Sequence, residues 1–98
     1  MEKRKPHCKL SIVKNLVSQG RIRVTKSAVM GAIEMGFEPA EIWTVVQDLT
    51  VADFYKSMTT YADHRIWKDV YRPHTRLGFV YLKITVIDDV LVVSFKEL

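Results

Sequence analysis

The sequence predicts an α+β fold in which N-terminal helices pack on one face of a mainly antiparallel C-terminal sheet. Apolar residues recur at helical spacing in the first half of the chain, whereas the second half alternates apolar and polar residues over long runs. Helices that precede a block of strands favour this arrangement. A chain of 98 residues, nearly half of them apolar, is expected to form a single domain over residues 1–98 with one core.

Three helices are predicted in the first half of the chain. The first covers about residues 8–19, where apolar residues at helical spacing end ahead of a glycine. The second runs from a Thr25 cap to about residue 35 and stops at Gly36. The third begins near Pro39, which suits a first helical turn. It carries the clearest i, i+3, i+4, i+7 stripe: Ile42, Val45, Val46 and Leu49.

The strands are predicted mainly in the second half, after a segment resembling a capping box at Thr50–Asp53. Four runs are rich in aromatic and β-branched residues, at residues 54–61, 66–72, 79–87 and 90–96. A short extended piece is also predicted at residues 21–24. Only Asp88 and Asp89 separate the last two runs, which predicts a tight hairpin.

The register of this hairpin follows by counting outward from a two-residue loop. Four predicted pairs are Val90 with Ile87, Val92 with Thr85, Ser94 with Lys83, and Lys96 with Tyr81. One face is then apolar and is expected to be core: Leu82, Ile84, Val86, Leu91, Val93 and Phe95. The opposite face brings together Tyr81, Lys83, Ser94 and Lys96. A phenol and two ammonium groups on a rigid sheet suit a phosphate.

The run at 66–72 is expected to extend this polar face. Pairing across the six-residue loop 73–78 is predicted to join Arg72 with Phe79, Val70 with Tyr81, and Lys68 with Lys83. Lys68 and Arg72 would then join the phosphate-binding face, Arg72 as a bidentate donor and the lysines as point charges. A one-residue slip would move the whole set to the core face, and a solvated sheet face is the alternative interpretation. Trp67 and Tyr71 point the other way and are expected in the core.

Lys56 lies in the run at 54–61, between Tyr55 and Ser57. A lysine among other cations has its ammonium form disfavoured, so its pKa is expected to fall. Lys56 could then give or take a proton near neutral pH, although an ordinary surface lysine is the commoner case.

Composition narrows the classes of partner. The net charge is +4, with eight Lys and Arg against one acid in residues 1–26, and five acids without a base in residues 27–53. Excess positive charge suits a polyanion, while the acidic middle third would repel RNA. Cys8 is the only cysteine, and no His or Cys spacing predicts a metal site. There is no run long enough to span a membrane and no apolar signal segment, so we expect a soluble, cytoplasmic protein.

Several long motifs resemble a known family. They are the runs Asp53–Thr60, Trp67–Pro73 and Tyr81–Lys96, with Met1–Arg4, Pro6-His7 and Lys26–Ala28. Over nearly its full length the chain is similar to the motility quorum-sensing regulator toxins. The resemblance implies a RelE-like, microbial RNase-type α+β fold. It also implies a toxin of a bacterial type II toxin–antitoxin pair that cleaves single-stranded mRNA, independently of the ribosome, at short GC-containing triplets.

The resemblance implies site residues, partners and a mechanism. Four residues are implied as catalytic: Lys56, Tyr81, Lys96 and Lys68. Tyr55, Met58 and Arg72 are implied as substrate-binding residues, and Lys83 is expected to join them because the hairpin register places it on the same face. The family usually has Gln at the position of Lys68, and a lysine lacks the amide acceptor. The partners would be mRNA and a zinc- and DNA-binding antitoxin, with no DNA contact by the toxin itself. No metal or cofactor is expected, and cleavage would leave 2′,3′-cyclic phosphate and 5′-hydroxyl ends.

Two other functions stay open from the residues alone. The basic face could bind RNA without cleaving it, which predicts salt-dependent binding and intact RNA. Alternatively, the chain could grip a protein partner and alter the DNA binding of that partner.

Overall fold

The computed structural model describes residues 1–98. The elements in chain order are β1 (Glu2–Lys3), α1 (Leu10–Ser18), β2 (Ile22–Val24), α2 (Lys26–Met35), α3 (Glu41–Gln47), a 3₁₀ turn (Val51–Asp53), β3 (Phe54–Met58), β4 (Lys68–Tyr71), β5 (His74–Thr75), β6 (Gly78–Ile87) and β7 (Asp89–Glu97). None of the helices combines the length and apolar character needed to cross a membrane.

The strands form one sheet in the order β1-β3-β4-β6-β7-β2, with β5 paired to β6 beside this path. Every pair is antiparallel except β2 with β7. The predicted α+β class is therefore confirmed, and the strand in the one parallel pair, β2, lies between α1 and α2 in the chain.

Local signals account for both boundaries of α2. The Thr25 hydroxyl accepts a hydrogen bond from the Ala28 amide at 3.1 Å, and Gly36 ends α2 in the left-handed conformation, as the sequence predicts. The third helix starts at Glu41, two residues later than the expected start at Pro39, because residues 39 and 40 form a turn. The Thr50–Asp53 capping box is present.

One apolar core joins the helices to the inner face of the sheet. The helices contribute chiefly Val13, Val17, Ala28, Ala32, Ile42 and Val46, and the strands contribute Tyr71, Val80, Leu82, Ile84, Val90, Val92 and Phe95. The close approach of α2 to β7 requires a glycine. A Cβ atom at Gly31 would lie 1.8 Å from the Phe95 carbonyl oxygen, which explains why a residue that normally weakens a helix occupies this position.

The β6–β7 hairpin differs from the predicted register at its tip. Ile87 pairs with Asp89 around Asp88, which adopts a left-handed φ of 65°. The predicted pairs of Val90 with Ile87 and Val92 with Thr85 are therefore wrong; Val90 faces Val86 and Val92 faces Ile84. A bulge then leaves Val93 unpaired and returns the strands to the predicted register. The predicted pairs of Lys83 with Ser94 and Tyr81 with Lys96 are therefore confirmed.

The bulge also changes which β7 side chains enter the core. Val90 and Val92 are fully buried, whereas Leu91 and Val93, predicted as core, are only partly buried. Beyond the bulge, Phe95 is buried as predicted.

Strand β4 is displaced by two residues from the predicted register. Val70 faces Lys83 and Tyr71 faces Leu82, so the predicted pairs of Val70 with Tyr81 and Lys68 with Lys83 are wrong. The predicted pair of Arg72 with Phe79 is wrong as well, because Phe79 pairs with His74. A shift of two residues leaves every side chain on its predicted face. Tyr71 is buried as predicted, but Trp67 is not in the core. Trp67 instead stacks on His7, with ring centroids 5.6 Å apart.

Candidate active site

Four neighbouring strands align the centre of the polar face. Lys56 of β3 pairs with Val70 of β4, Val70 pairs with Lys83 of β6, and Lys83 pairs with Ser94 of β7. The four side chains therefore form a row across the sheet, on the face away from the helices. Val70 is fully buried but lies outside the helix-facing core cluster, which makes it the apolar floor of the row.

The other predicted site residues lie on the same face on either side of this row. Met58 pairs with Lys68, and Tyr81 pairs with Lys96. A bulge in β3 next to Tyr55 lets its ring turn toward Arg72, whose guanidinium carbon lies 3.8 Å from the ring centroid. The structure thus brings together all eight predicted residues: Lys56, Lys68, Lys83, Lys96, Tyr81, Tyr55, Met58 and Arg72.

Lys56 does not have the low pKa that the sequence predicts. Its ammonium nitrogen lies 2.9 Å from a Glu2 carboxylate oxygen, and its side chain is only 19% exposed. The hydrogen bond to Glu2 is the main cause that raises the pKa of Lys56, and it outweighs desolvation. The same pair lowers the pKa of Glu2. Lys56 is therefore a fixed ammonium group at neutral pH.

Lys83 has the property that was expected of Lys56. Its side chain is partly buried beside Val70, and burial is the main cause that lowers the pKa of Lys83. The ammonium groups of Lys68, Lys96 and Lys56, in that order, lower it further. These effects also show that the four lysines share one electrostatic environment.

The Tyr81 ring lies close to two of these cations. The Lys96 nitrogen is 5.4 Å from the ring centroid and the Lys83 nitrogen is 5.8 Å from it. Such a group of ammonium donors around a phenol can hold an anion and can stabilise negative charge that develops on a bound phosphate.

A cavity of about 340 Å³ adjoins this face at its Met58 end. Its walls include Glu2, Thr59 and the fully exposed Tyr61. A single nucleobase could enter a space of this size next to the row of lysines.

Sequence reasoning missed two residues of this site. Glu2 reaches Lys56 because β1 pairs with β3. A strand of two residues is too short to show a sequence periodicity, so β1 could not be predicted. The predicted register places Val70 on the polar face but gives it no role. Its apolar side chain among lysines could have indicated that these lysines are partly shielded from water.

Comparison with known proteins gives one consistent result. The model of the family described as "Motility quorum-sensing regulator, toxin of MqsA" matches residues 5–97. The chain is also 59% identical over 97 residues to the mRNA interferase toxin MqsR of Escherichia coli strain K12, and the match covers 99% of both chains. The resemblance found in the sequence is confirmed at nearly full length, and the chain belongs to the family of motility quorum-sensing regulator toxins.

Proposed function

We propose that this chain is an mRNA interferase, a toxin that cleaves single-stranded mRNA in the cytoplasm, blocks translation and is held inactive by a cognate antitoxin. The observation that carries the proposal is the convergence of Tyr81 with four lysines and Arg72 on one sheet face. The name of the Escherichia coli relative, which shares 59% of its residues, supports the same activity.

The proposed reaction is attack of a ribose 2′-hydroxyl on the adjacent phosphorus. The bond between O2′ and phosphorus forms, the bond between phosphorus and O5′ breaks, and one proton moves from O2′ to a base while another moves from an acid to O5′. The products are a 2′,3′-cyclic phosphate and a 5′-hydroxyl. Because ammonium and guanidinium groups can stabilise the pentacovalent phosphate, this reaction needs no metal ion.

The charges of the site suggest a division of roles. Lys56, held as ammonium by Glu2, suits stabilisation of the phosphate and not proton transfer. Lys96, Lys68 and the exposed Arg72 would add to this stabilisation, while the Tyr81 phenol would transfer a proton.

Tyr55 and Met58 are proposed to hold the bases that flank the cut. Arg72 already lies against one face of Tyr55, and stacking of a base on such a ring stabilises binding by about 1–3 kcal/mol. We carry over from the family, as further proposals, cutting at GC-containing triplets and a zinc- and DNA-binding antitoxin. DNA binding would then belong to the antitoxin and not to this chain.

A single incubation tests the proposed activity. A long transcript is treated with the purified protein in EDTA, and the cut sites are mapped by primer extension. We expect discrete cuts in single-stranded regions, with 5′ ends that kinase labels directly and 3′ ends that are blocked until the cyclic phosphate is removed.

A non-catalytic function or a metal-dependent mechanism would give different results in the same experiment. A non-catalytic RNA-binding module would leave the transcript intact while binding it in a salt-dependent way. Loss of cleavage in EDTA, with recovery on adding a divalent ion, would contradict the metal-independent mechanism.

A further inference from the structure

Lys83 occupies the centre of the cationic face. Val70 of β4 lies on one side of it and Ser94 of β7 on the other, with Lys56 beyond Val70. Lys68 and Lys96 approach from β4 and β7, so three ammonium groups on three different strands act on Lys83. Lys83 also pairs directly with Val70, so a fully buried apolar residue lies beside it.

We propose that the Lys83 amine is the general base that removes the proton from the attacking 2′-hydroxyl. This proposal rests on the proposed ribonuclease function and deepens it. It assigns the first proton transfer of the reaction to Lys83, which is expected from the sequence only to bind substrate.

The surroundings of Lys83 favour the neutral amine that a base needs. The groups that face it are the ammonium groups of Lys56, Lys68 and Lys96, the phenol of Tyr81, and the Glu2 carboxylate, which is already paired with Lys56. Consequently no free carboxylate offsets the repulsion between Lys83 and the other lysines. Burial and this repulsion both lower the pKa of Lys83, which increases the fraction of neutral amine at a given pH.

The proton transfers balance with Tyr81 as the partner acid. The lone pair of the Lys83 nitrogen takes the O2′ proton as O2′ bonds to phosphorus. As the bond from phosphorus to O5′ breaks, O5′ takes the proton of the Tyr81 phenol. Lys83 is then ammonium and Tyr81 phenolate, and solvent returns the proton from the first to the second. The two residues are two positions apart on one strand, a spacing of about 7 Å, so they can serve opposite sides of one phosphate.

Lysine-to-arginine substitutions separate charge from proton transfer, because arginine keeps the positive charge but cannot act as a base. We would measure cleavage rates for Lys83→Arg, Lys56→Arg and the exposed helix variant Lys26→Arg as control. Binding to a 2′-O-methyl version of the same RNA, which cannot be cut, is measured in parallel. Lys83→Arg should bind within about threefold of wild type yet lose about 10²–10⁴-fold in rate. Lys56→Arg should lose less than about tenfold, and Lys26→Arg should match wild type.

The pH profile gives a second readout that a merely structural role would not move. Wild-type kcat/KM should rise with pH through an acidic limb that reports deprotonation of Lys83. Lys68→Gln removes the second-largest cause of the lowered Lys83 pKa, so it should move this limb to higher pH. In Lys83→Ala, added methylamine or ethylamine should restore part of the rate in proportion to the neutral amine present. This rescue also decides the matter if Lys83→Arg fails to fold.

The outcomes distinguish the two levels of the proposal. If wild type does not cut RNA, the proposed function fails. If wild type cuts RNA but Lys83→Arg keeps the wild-type rate, or Lys68→Gln leaves the acidic limb in place and no amine rescues Lys83→Ala, only the assignment of Lys83 is overturned.

Discussion

The Glu2 carboxylate of β1 lies 2.9 Å from the Lys56 ammonium nitrogen of β3. β1 pairs antiparallel with β3, so the N-terminal segment brings one negative charge to the edge of a face that otherwise collects cations. Glu2 has a lowered pKa and is therefore ionised at neutral pH. In the free protein Glu2 pairs with the ammonium group that we propose to contact an RNA phosphate.

Replacing Glu2 with Gln should tighten RNA binding. The change removes an anion that competes with phosphate for Lys56, so the Kd for uncleavable 2′-O-methyl RNA should fall about two- to tenfold, in line with the modest strength of exposed ion pairs. The affinity should also depend more steeply on salt, since one more phosphate contact releases more counterions. Titrations at several salt concentrations measure both effects. Glu34→Gln, an exposed acid on α2, is the matched control. Unchanged or weaker binding by Glu2→Gln would show that Glu2 serves to orient Lys56 for the substrate.

Replacing Lys83 with Met should stabilise the fold at neutral pH. The lowered pKa of Lys83 means that the folded state resists its protonation, so below the folded pKa the charged side chain destabilises the protein. This penalty is relieved as pH rises through the folded pKa toward the ordinary value of 10.5. We therefore expect a higher Tm for Lys83→Met at pH 7 and a smaller gain near pH 10. In a domain of this size, each kcal/mol gained in the free energy of unfolding raises the Tm by about 4–8 °C. A lower Tm at pH 7 would mean that Lys83 stabilises the sheet through contacts that outweigh the repulsion.

Gly31→Ala should destabilise the protein strongly. The added methyl carbon would lie 1.8 Å from the Phe95 carbonyl oxygen, so α2 must move away from β7. We expect a loss of about 3 kcal/mol or more in the free energy of unfolding, measured by urea denaturation. Gly20→Ala is the control, because Gly20 has a φ of 76° but no atom within 4 Å of the added carbon. That change should lose only about 1–2 kcal/mol from backbone strain. Equal losses in the two variants would contradict the close packing of α2 on β7.

The polar face could be predicted from sequence because alternation along a strand survives errors in register. The β4 register differs from the predicted register by two residues, so Lys68 and Arg72 stay on the predicted polar face. The hairpin tip differs by one residue, which by itself would have exchanged the faces of β7. The bulge at Val93 cancels that shift before Ser94 and Lys96.

The bulge and the β1 contact could not be predicted. No glycine or other turn residue in β7 marks the bulge, so Val90 and Val92 were missed as core residues. Glu2 lies more than 50 residues from Lys56 in the sequence, and only tertiary pairing brings them together. The predicted fall in the pKa of Lys56 is therefore wrong, because its pKa is raised. The neighbouring cations expected around Lys56 lower the pKa of Lys83 instead.

Initial rates of RNA cleavage test most directly whether RNA is cut on this sheet face. The rates of Tyr81→Phe and Lys96→Ala are compared with those of wild type and of Lys26→Ala, a variant on the helical side. Thermal unfolding first establishes that each variant is folded. We predict that Tyr81→Phe and Lys96→Ala each lose about 10²-fold or more in rate, while Lys26→Ala cuts at the wild-type rate. Wild-type rates in both sheet-face variants would contradict the account.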